Sequence, residues 1–326
     1  MNFDNRIFNI TSDKEFSNLA IEIFNYQYQT NQVYQNFCKL LKVNPSAITS
    51  FEKIPFLPIE FFKSQQVICG KNNVDEIFLS SGTTGQNQSK HFVKDVTVYE
   101  HSFVKGFEQF YGQLTDYCFL ALLPSYMERE GSSLIYMTEY LIKHSNHSLS
   151  GFYLNNYAAL IETIKKLKQQ KQKTILIGVS FALLDLAEQH QLDLSDIIIM
   201  ETGGMKGRRK EMTRNELHSI YKERFNVKEI HSEYGMTELL SQAYSKGNGI
   251  FKTPNWMKIL IREPNDPFNL LESNKTGGIN VIDLANYNSC SFISTQDLGK
   301  TFSDNSFEIL GRFDNTDLRG CNLLIQ

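Results

Sequence analysis

The sequence predicts an α/β protein whose strands are mainly parallel and covered by helices, followed by a smaller β region. Between residues 96 and 231, apolar runs of strand length alternate with stretches whose apolar residues recur at helical spacing. This alternation is typical of a parallel sheet with helices on both faces. From Gly249 onward, short strands separated by turn residues indicate an antiparallel or barrel-like region. We therefore predict an α/β core of two similar subdomains over residues 1–248 and a β-rich unit over residues 249–326.

The individual elements follow from the same periodicities. The predicted helices are Glu15–Asn25, Asn31–Leu41, Val96–Tyr111, Ser132–Lys143, Tyr157–Gln170, Phe181–His190 and Arg209–Phe225. The predicted strands are Glu76–Leu79, Tyr117–Leu123, Thr174–Val179, Asp196–Met200, Lys228–His231, Met257–Ile261, Gly278–Asp283 and Phe307–Gly311. Ligands of parallel sheets collect at the carboxyl ends of strands, so the loops that follow three of these strands should converge. Those loops are Ser80–Lys90, Glu201–Lys206 and Ser232–Glu238.

The composition excludes several classes of protein. A net charge of −3 over 326 residues provides no general attraction for nucleic acid or an anionic membrane. No apolar run approaches the ~20 residues that cross a bilayer, and the N-terminus does not resemble a signal peptide. Five scattered cysteines without CxxC spacing argue against a disulfide framework or a zinc site and favour the cytoplasm. One basic cluster is either a phosphate contact or a solvated helix face, namely Lys206, Arg208, Arg209, Lys210 and Arg214.

A loop rich in hydroxyls and glycines, SSGTTGQNQSKH, spans Ser80–His91. Glycines let backbone N–H groups turn toward an anion, hydroxyls add donors, and Lys90 adds a positive charge. The loop lacks the GxxxxGK[ST] pattern of a Walker P-loop. By itself it is either a phosphate-binding loop or a polar surface turn.

Three further segments carry site chemistry. YGMTE, Tyr234–Glu238, offers a carboxylate at Glu238 that suits Mg²⁺ beside phosphate oxygens, although a lone glutamate there also fits a surface position or a helix cap. STQDLG, which begins at Ser294, offers Asp297 as an acceptor for ribose hydroxyls. GRFDNTDLRG, which begins at Gly311, offers Arg312 as a donor to ribose or phosphate oxygens.

In this order, the four segments resemble the adenylate-forming superfamily of acyl-CoA synthetases, peptide-synthetase adenylation domains and luciferases. The resemblance implies the large N-terminal domain of those enzymes, with two helix-flanked mainly parallel sheets, and a reaction with ATP and Mg²⁺. Phosphate contacts are implied for Ser80, Ser81, Gly82, Thr83, Thr84, Gly85 and Lys90. An adenine pocket is implied at Gly203 and Gly204, phosphate and Mg²⁺ handling at Tyr234, Gly235, Thr237 and Glu238, and a ribose grip at Asp297 and Arg312.

The chain departs from the larger members of the superfamily after GRxD. The sequence ends at Gln326, so we expect the mobile C-terminal lid domain and its catalytic lysine to be absent. With this expected absence, the segment ETGGMKG with Lys206 and the sequence RGC near the end, the chain resembles the short acyl-protein synthetases of the luminescence type. In that branch a cysteine near the C-terminus accepts the acyl group as a thioester, and Cys321 is the cysteine so placed. A thiolate suits this role and Arg319 would lower its pKa, but a free cysteine is also a common small core residue. Lys206 is either a source of the missing positive charge or part of a basic surface.

We therefore expect an acid–thiol ligase that activates a carboxylic acid, fatty or otherwise apolar, as an acyl-adenylate. The acceptor is Cys321, coenzyme A or a carrier-protein phosphopantetheine arm, and an acyl reductase, acyltransferase or acyl carrier protein is the expected partner. The alternative is a ligase that needs a partner chain, or a nucleotide-binding subunit without chemistry of its own. His91 and His231 flank the site loops as ligand contacts or structural histidines. Ser132 and Ser133 are candidate helix caps, and Tyr126 and Met127 are candidate lining for an acyl pocket.

Overall fold

The computed structural model describes residues 3–70, 73–81, 88–123, 130–203 and 212–313. Its α-helices are α1 Asp4–Ile7, α2 Asp13–Thr30, α3 Gln32–Leu40, α4 Phe61–Ser64, α5 Val96–Tyr111, α6 Ser133–His144, α7 Tyr157–Gln169, α8 Ser180–Gln189 and α9 Arg214–Phe225. Short 3₁₀ turns lie at Pro45–Ala47, Phe51–Lys53, Leu114–Asp116 and Leu284–Asn288. Its strands are β1 Leu57–Pro58, β2 Glu76–Leu79, β3 Lys90–Val93, β4 Cys118–Leu122, β5 Gly151–Phe152, β6 Thr174–Val179, β7 Ile197–Thr202, β8 His231–Tyr234, β9 Ala243–Ser245, β10 Ile250–Lys252, β11 Met257–Arg262, β12 Gly277–Asp283, β13 Phe292–Thr301 and β14 Phe307–Arg312.

Twelve of the described strands form one sheet in the order β11-β12-β13-β14-β10-β9-β8-β7-β6-β4-β5, with β1 paired to β13. Strands β5, β4, β6, β7 and β8 are parallel to one another. From β9 onward the main path is antiparallel. The predicted α/β class, with helix-flanked parallel strands followed by a β region, is confirmed.

Helices cover the parallel strands because those strands are apolar on both faces. Every residue of β4 and β6 is buried. Helix α6 packs on β4 and against α5, whereas α8 packs on β6 and β7 and against α9. Helix α9 begins at Arg214, not at Arg209 as predicted, because Thr213 and Glu216 form a capping box at its start.

The structure also differs from the expectation of two parallel sheets. Strands β2 and β3 form a separate antiparallel hairpin, so the Ser80–Lys90 loop does not follow a strand of the main sheet. A short loop can join antiparallel strands, whereas a parallel pair needs a crossover of a dozen or more residues. The later strands continue the main sheet, since β9 pairs with both β8 and β10. The division at residue 248 stays a prediction.

The N-terminal helices reach the centre of the molecule through buried amides. From α2, the Gln27 side chain donates to the carbonyl oxygens of Asn286 and Tyr287 at 3.1 and 3.0 Å. The Asn31 side chain donates to the carbonyl oxygen of Ser289 at 2.8 Å. Both amides are fully buried and thus need these partners. The 3₁₀ turn at Leu284–Asn288 is thereby held in place beneath the candidate site.

Candidate active site

A buried carboxylate joins three of the candidate residues. Asp297 on β13 lies opposite Arg312 on β14 in the strand register, and its Oδ1 accepts a hydrogen bond from Arg312 Nε at 2.9 Å. Its Oδ2 accepts one from the Tyr234 hydroxyl at 2.8 Å. The Asp297 side chain is 7% exposed and that of Arg312 is 76% exposed. A buried acceptor is thus presented beside an accessible guanidinium.

The charges of this cluster stabilise one another. Burial raises the pKa of Tyr234 well above its usual value, and the charge and hydrogen bond of Asp297 raise it further, so the phenol remains a donor. Burial acts to lower the pKa of Arg312, but the charge of Asp297 and its hydrogen bond outweigh that effect and raise it. Arg312 therefore stays positively charged.

A second arginine lies buried near Asp297. Arg262 donates to the carbonyl oxygens of Ile279 and Thr295 at 2.7 and 2.5 Å. Burial lowers its pKa, while the negative charges of Glu60 and Asp297 oppose the change. Arg262 therefore ties β11 to β12 and β13. The sequence motifs did not reveal it, since its neighbours are ordinary strand residues.

Glu238 forms a second buried carboxyl group. Glu238 is only 6% exposed. Burial raises the pKa of Glu238, and a hydrogen bond from Ser89 and the positive charges of Arg312 and Lys63 oppose that rise. Its backbone carbonyl accepts a hydrogen bond from the Asn286 side chain at 2.7 Å, which connects it to the turn held by the N-terminal helices. In its ionised form this carboxyl group suits Mg²⁺ beside phosphate oxygens, because proteins usually hold that ion through only one or two carboxylates.

His91 is a structural histidine. It is 1% exposed, its Nδ1 lies 2.8 Å from the carbonyl oxygen of Thr237, and its ring packs edge-on against Phe62. Burial lowers the pKa of His91 to about 4, so the ring is neutral at physiological pH and donates from Nδ1. This bond joins β3 to the YGMTE segment.

The Ser80–Lys90 loop closes on itself at its base. The Ser80 hydroxyl accepts a hydrogen bond from the Ser89 amide at 2.9 Å, and the Gln88 side chain donates to the Ser80 carbonyl oxygen at 2.9 Å. Lys90, the first residue of β3, is exposed. Ser81 follows at the edge of the described region, and Gly82, Thr83, Thr84 and Gly85 lie outside the described residues. Their phosphate contacts stay a prediction.

At the end of β7, Glu201 links three elements. It accepts hydrogen bonds from Ser180 at 2.7 Å and from His218 of α9 at 2.8 Å. Ser180 also donates to the carbonyl oxygen of Gly203 at 3.2 Å. Gly203 has a φ of +67°, a conformation that favours glycine and turns the chain out of the strand. Gly204 and Lys206 lie outside the described residues.

One acid at the site was missed by sequence reasoning. Glu233 stands directly before Tyr234, so its side chain points to the opposite face of β8. It accepts a hydrogen bond from Thr202. Burial raises the pKa of Glu233 to about 7. The sequence signal that could have revealed Glu233 is a charged residue between Ser232 and Tyr234, which are both buried.

The remaining candidates divide between described and undescribed parts of the chain. Ser132 is the N-cap of α6, as predicted, and accepts a hydrogen bond from the Ile135 amide. His231 lies 3.1 Å from the Tyr111 hydroxyl, as a structural histidine does. Ser133 is the first residue of α6. Tyr126, Met127 and Cys321 lie outside the described residues.

Distant segments therefore meet at one edge of the sheet. Ser89 and His91 of the hairpin contact the Thr237–Glu238 segment, which follows β8. Tyr234 on β8 contacts Asp297, and Arg312 lies close enough for its charge to act on Glu238. The described residues of the β2–β3 hairpin reach this edge through tertiary packing, because the hairpin is not part of the main sheet.

This fold is that of the large domain of adenylate-forming ligases. At 12% identity, 2-hydroxyisobutyryl-CoA ligase, solved with 2-HIB-AMP and CoA in its thioesterification state, has a TM-score of 0.66 over 93% of this chain and 68% of that one. At 15% identity, ATP-bound MatB from Rhodopseudomonas palustris has a TM-score of 0.55 over 74% of this chain and 49% of that one. Both similarities concern the fold alone.

The sequence matches point to the acyl-protein synthetase branch. Residues 3–107 match the family model described as acyl-protein synthetase, LuxE. A long-chain-fatty-acid–luciferin-component ligase of Photorhabdus luminescens is 32% identical over 68 residues, which are 21% of this chain and 58% of the relative. The chain thus spans somewhat more than half of the curated relative it matches. These findings confirm the resemblance inferred from the sequence.

Among the described residues, no helix is both long and apolar enough to cross a bilayer. Within those same ranges, no group of three or more His, Cys, Asp and Glu side chains is arranged to hold a metal ion.

Proposed function

We propose that this chain activates a carboxylic acid with ATP, forms an acyl-adenylate and pyrophosphate, and transfers the acyl group to a thiol. One observation carries the proposal. The hairpin, the YGMTE segment, Asp297 and Arg312 meet at one edge of a sheet, although they lie far apart in sequence. The fold similarity and the match to acyl-protein synthetases support the same reaction class.

Asp297 and Arg312 would hold the ribose of ATP. Each carboxylate oxygen of Asp297 accepts one hydrogen bond, from Tyr234 or from Arg312, and has a second lone pair. Each oxygen can therefore accept a further hydrogen bond from a ribose hydroxyl. Arg312 remains charged and is largely exposed, so its fork is available for ribose or phosphate oxygens. Gly203 and Gly204 would line the adenine, and Ser81 to Gly85 would contact the phosphates.

In the first step, a carboxylate oxygen of the acid forms a bond to the α-phosphorus, and the bond from that phosphorus to the bridging oxygen of pyrophosphate breaks. Lys90 would offset the growing negative charge. Glu238 would hold Mg²⁺, which supplies Lewis-acid stabilisation of phosphate oxygens when bound. In the second step, a thiolate attacks the acyl carbon and AMP leaves.

The acyl acceptor is proposed to be Cys321, with coenzyme A and a carrier-protein thiol as the alternatives. Lys206 would add positive charge during either step. The acid would have an apolar chain, as the name of the Photorhabdus relative states for that protein. An acyl reductase, acyltransferase or acyl carrier protein would take the product.

ATP–pyrophosphate exchange with a panel of acids tests the first step. The wild-type chain should exchange label with at least one acid, and Glu238→Gln should abolish exchange while Glu162→Gln on the surface of α7 leaves it unchanged. ATP binding without exchange for every acid would exclude the ligase and favour a nucleotide-binding subunit.

Labelled acid tests the acceptor. Cys321→Ser should still exchange pyrophosphate but should lose covalent labelling by the acyl group. Covalent labelling that persists in this variant would exclude Cys321 as the acceptor.

A further inference from the structure

Lys63 is a positively charged residue near the candidate active site that lies outside all four segments of the sequence that carry site chemistry. It belongs to the short helix α4, and it is exposed. Most lysines are exposed, so exposure by itself indicates no function. The contacts made by α4 and by the chain before it distinguish Lys63 from an ordinary surface lysine.

The chain that leads to Lys63 runs along the strand that carries Asp297. Strand β1 pairs in parallel with β13, and the Ile59 amide donates to the carbonyl oxygen of Ser294 at 3.0 Å. Because the two strands are parallel, the chain leaves β1 in the direction in which β13 continues to Asp297. Glu60 then accepts a hydrogen bond from the side chain of Gln296. The start of α4 is thereby tied to the residue that precedes Asp297.

Helix α4 also packs against the β2–β3 hairpin. Phe62 is buried, and its ring meets the ring of His91 edge-on, with 5.7 Å between the ring centroids. His91 in turn bonds the carbonyl oxygen of Thr237, the residue before Glu238. The residue that follows Phe62 is Lys63. It is therefore attached both to β13 beside Asp297 and, through His91, to the segment that carries Glu238.

The charge of Lys63 acts on the Glu238 carboxyl group. Burial raises the pKa of Glu238, and the positive charge of Lys63 is among the influences that oppose this rise. In the described parts of the chain, Lys63 forms no salt bridge with a carboxylate. Its ammonium group thus acts on Glu238 across a gap and is not neutralised by a direct carboxylate partner among those residues.

Two positive charges therefore act on Glu238, that of Arg312 from β14 and that of Lys63 from α4. A triphosphate carries more negative charge than one Mg²⁺ offsets, so a site that holds both needs further cations. A lysine suits this task because its ammonium group is a compact charge with three donors on a flexible stem. The gap between Lys63 and Glu238 is where phosphate oxygens bound beside Glu238 would lie.

We propose that Lys63 binds phosphate oxygens of ATP beside Glu238 and offsets the negative charge that grows on them during acyl-adenylate formation. In that step the carboxylate oxygen bonds to the α-phosphorus, and pyrophosphate leaves with the electron pair of the broken bond. Lys63 stays protonated throughout and acts by its charge. This inference rests on the proposed function, because it takes Glu238 as the residue beside the phosphates. Lys63 is then a further catalytic residue, contributed by the N-terminal part of the chain.

Nucleotide binding to the full chain tests this role without turnover. Calorimetric titration with ATP and with adenosine, which lacks phosphates, compares wild type with Lys63→Met. The variant should bind ATP about 10- to 100-fold more weakly, because a charge-assisted bond to phosphate is lost, and should bind adenosine as wild type does. Lys63→Arg, which keeps the charge, should retain most of the ATP affinity. Lys53→Met, at another exposed lysine, is the matched control and should match wild type.

ATP–pyrophosphate exchange provides a second readout. Lys63→Met should lower kcat roughly 100-fold, as expected when a group that stabilises transition-state charge is removed. Equal ATP affinity in wild type and Lys63→Met would overturn the inference, and so would an equal loss of ATP and adenosine binding. If wild type binds ATP but exchanges with no acid, the proposed function fails, and the binding comparison still decides the role of Lys63. If wild type does not bind ATP, both fail.

Discussion

Replacing His91 by asparagine should change how the stability of the protein depends on pH. His91 is buried, and its Nδ1 bonds the carbonyl oxygen of Thr237. Asparagine places an amide nitrogen at the position of Nδ1, so His91→Asn keeps this bond while it removes the titrating ring. The two proteins therefore differ mainly in one ionisation.

The size of the effect follows from the pKa. Burial lowers the pKa of His91 from 6.5 to about 4, so the unfolded chain takes up the proton first as pH falls. Stability is thus retained above pH 6.5 and lost progressively down to pH 4. The full loss is 6.5 minus 4, multiplied by about 1.4 kcal/mol per pKa unit, or about 3–4 kcal/mol. At pH 5 it amounts to about 2 kcal/mol.

Urea denaturation of both proteins at pH 7 and pH 5 measures this difference. Wild type should lose about 2 kcal/mol more of its free energy of unfolding than His91→Asn between the two pH values. Other titrating groups occur in both proteins and cancel in the comparison. Parallel stability curves over this range would refute the assignment of a buried neutral histidine.

Three further outcomes are expected. Asp297→Asn should raise the KM for ATP roughly 10- to 100-fold, because a charged acceptor is lost, and an unchanged KM would contradict the ribose role. Gly299→Ala should destabilise the protein by about 1–3 kcal/mol in urea denaturation, since its Cβ would lie 2.4 Å from the Glu308 carbonyl oxygen. Gly151→Ala, which meets nothing within 4 Å, is the control and should be nearly neutral. Burial raises the pKa of Glu233 from 4.5 to about 7, so wild type should lose stability relative to Glu233→Gln as pH rises from 4.5 to 7, and identical slopes would exclude this shift.

The glycine of the QDLG segment has a structural explanation in this fold. A register shift between β13 and β14 lies at Leu298 and Gly299, immediately after Asp297. Close approach of the Glu308 carbonyl leaves no room for a side chain at Gly299. The glycine thus allows the bulge that follows the carboxylate.

Local sequence patterns located most of the elements. Val96–Tyr111, Thr174–Val179 and Glu76–Leu79 have the predicted bounds, because apolar spacing and flanking polar residues act within a few residues. The pairing of β2 with β3 was not predicted, since strand partners depend on packing between segments. The start of α9 was placed too early because the basic residues before Thr213 also favour a helix.

The sequence by itself determined the fold class, the four segments of the site, and the resemblance to adenylate-forming enzymes. Their residues and spacing are local properties that the chain carries before it folds. Tertiary structure alone decided that His91 is buried and neutral, that Arg262 lies near Asp297, and that burial raises the pKa of Glu233. Burial and electrostatic partners arise only when distant strands come together, and these determine the charge and accessibility of each group.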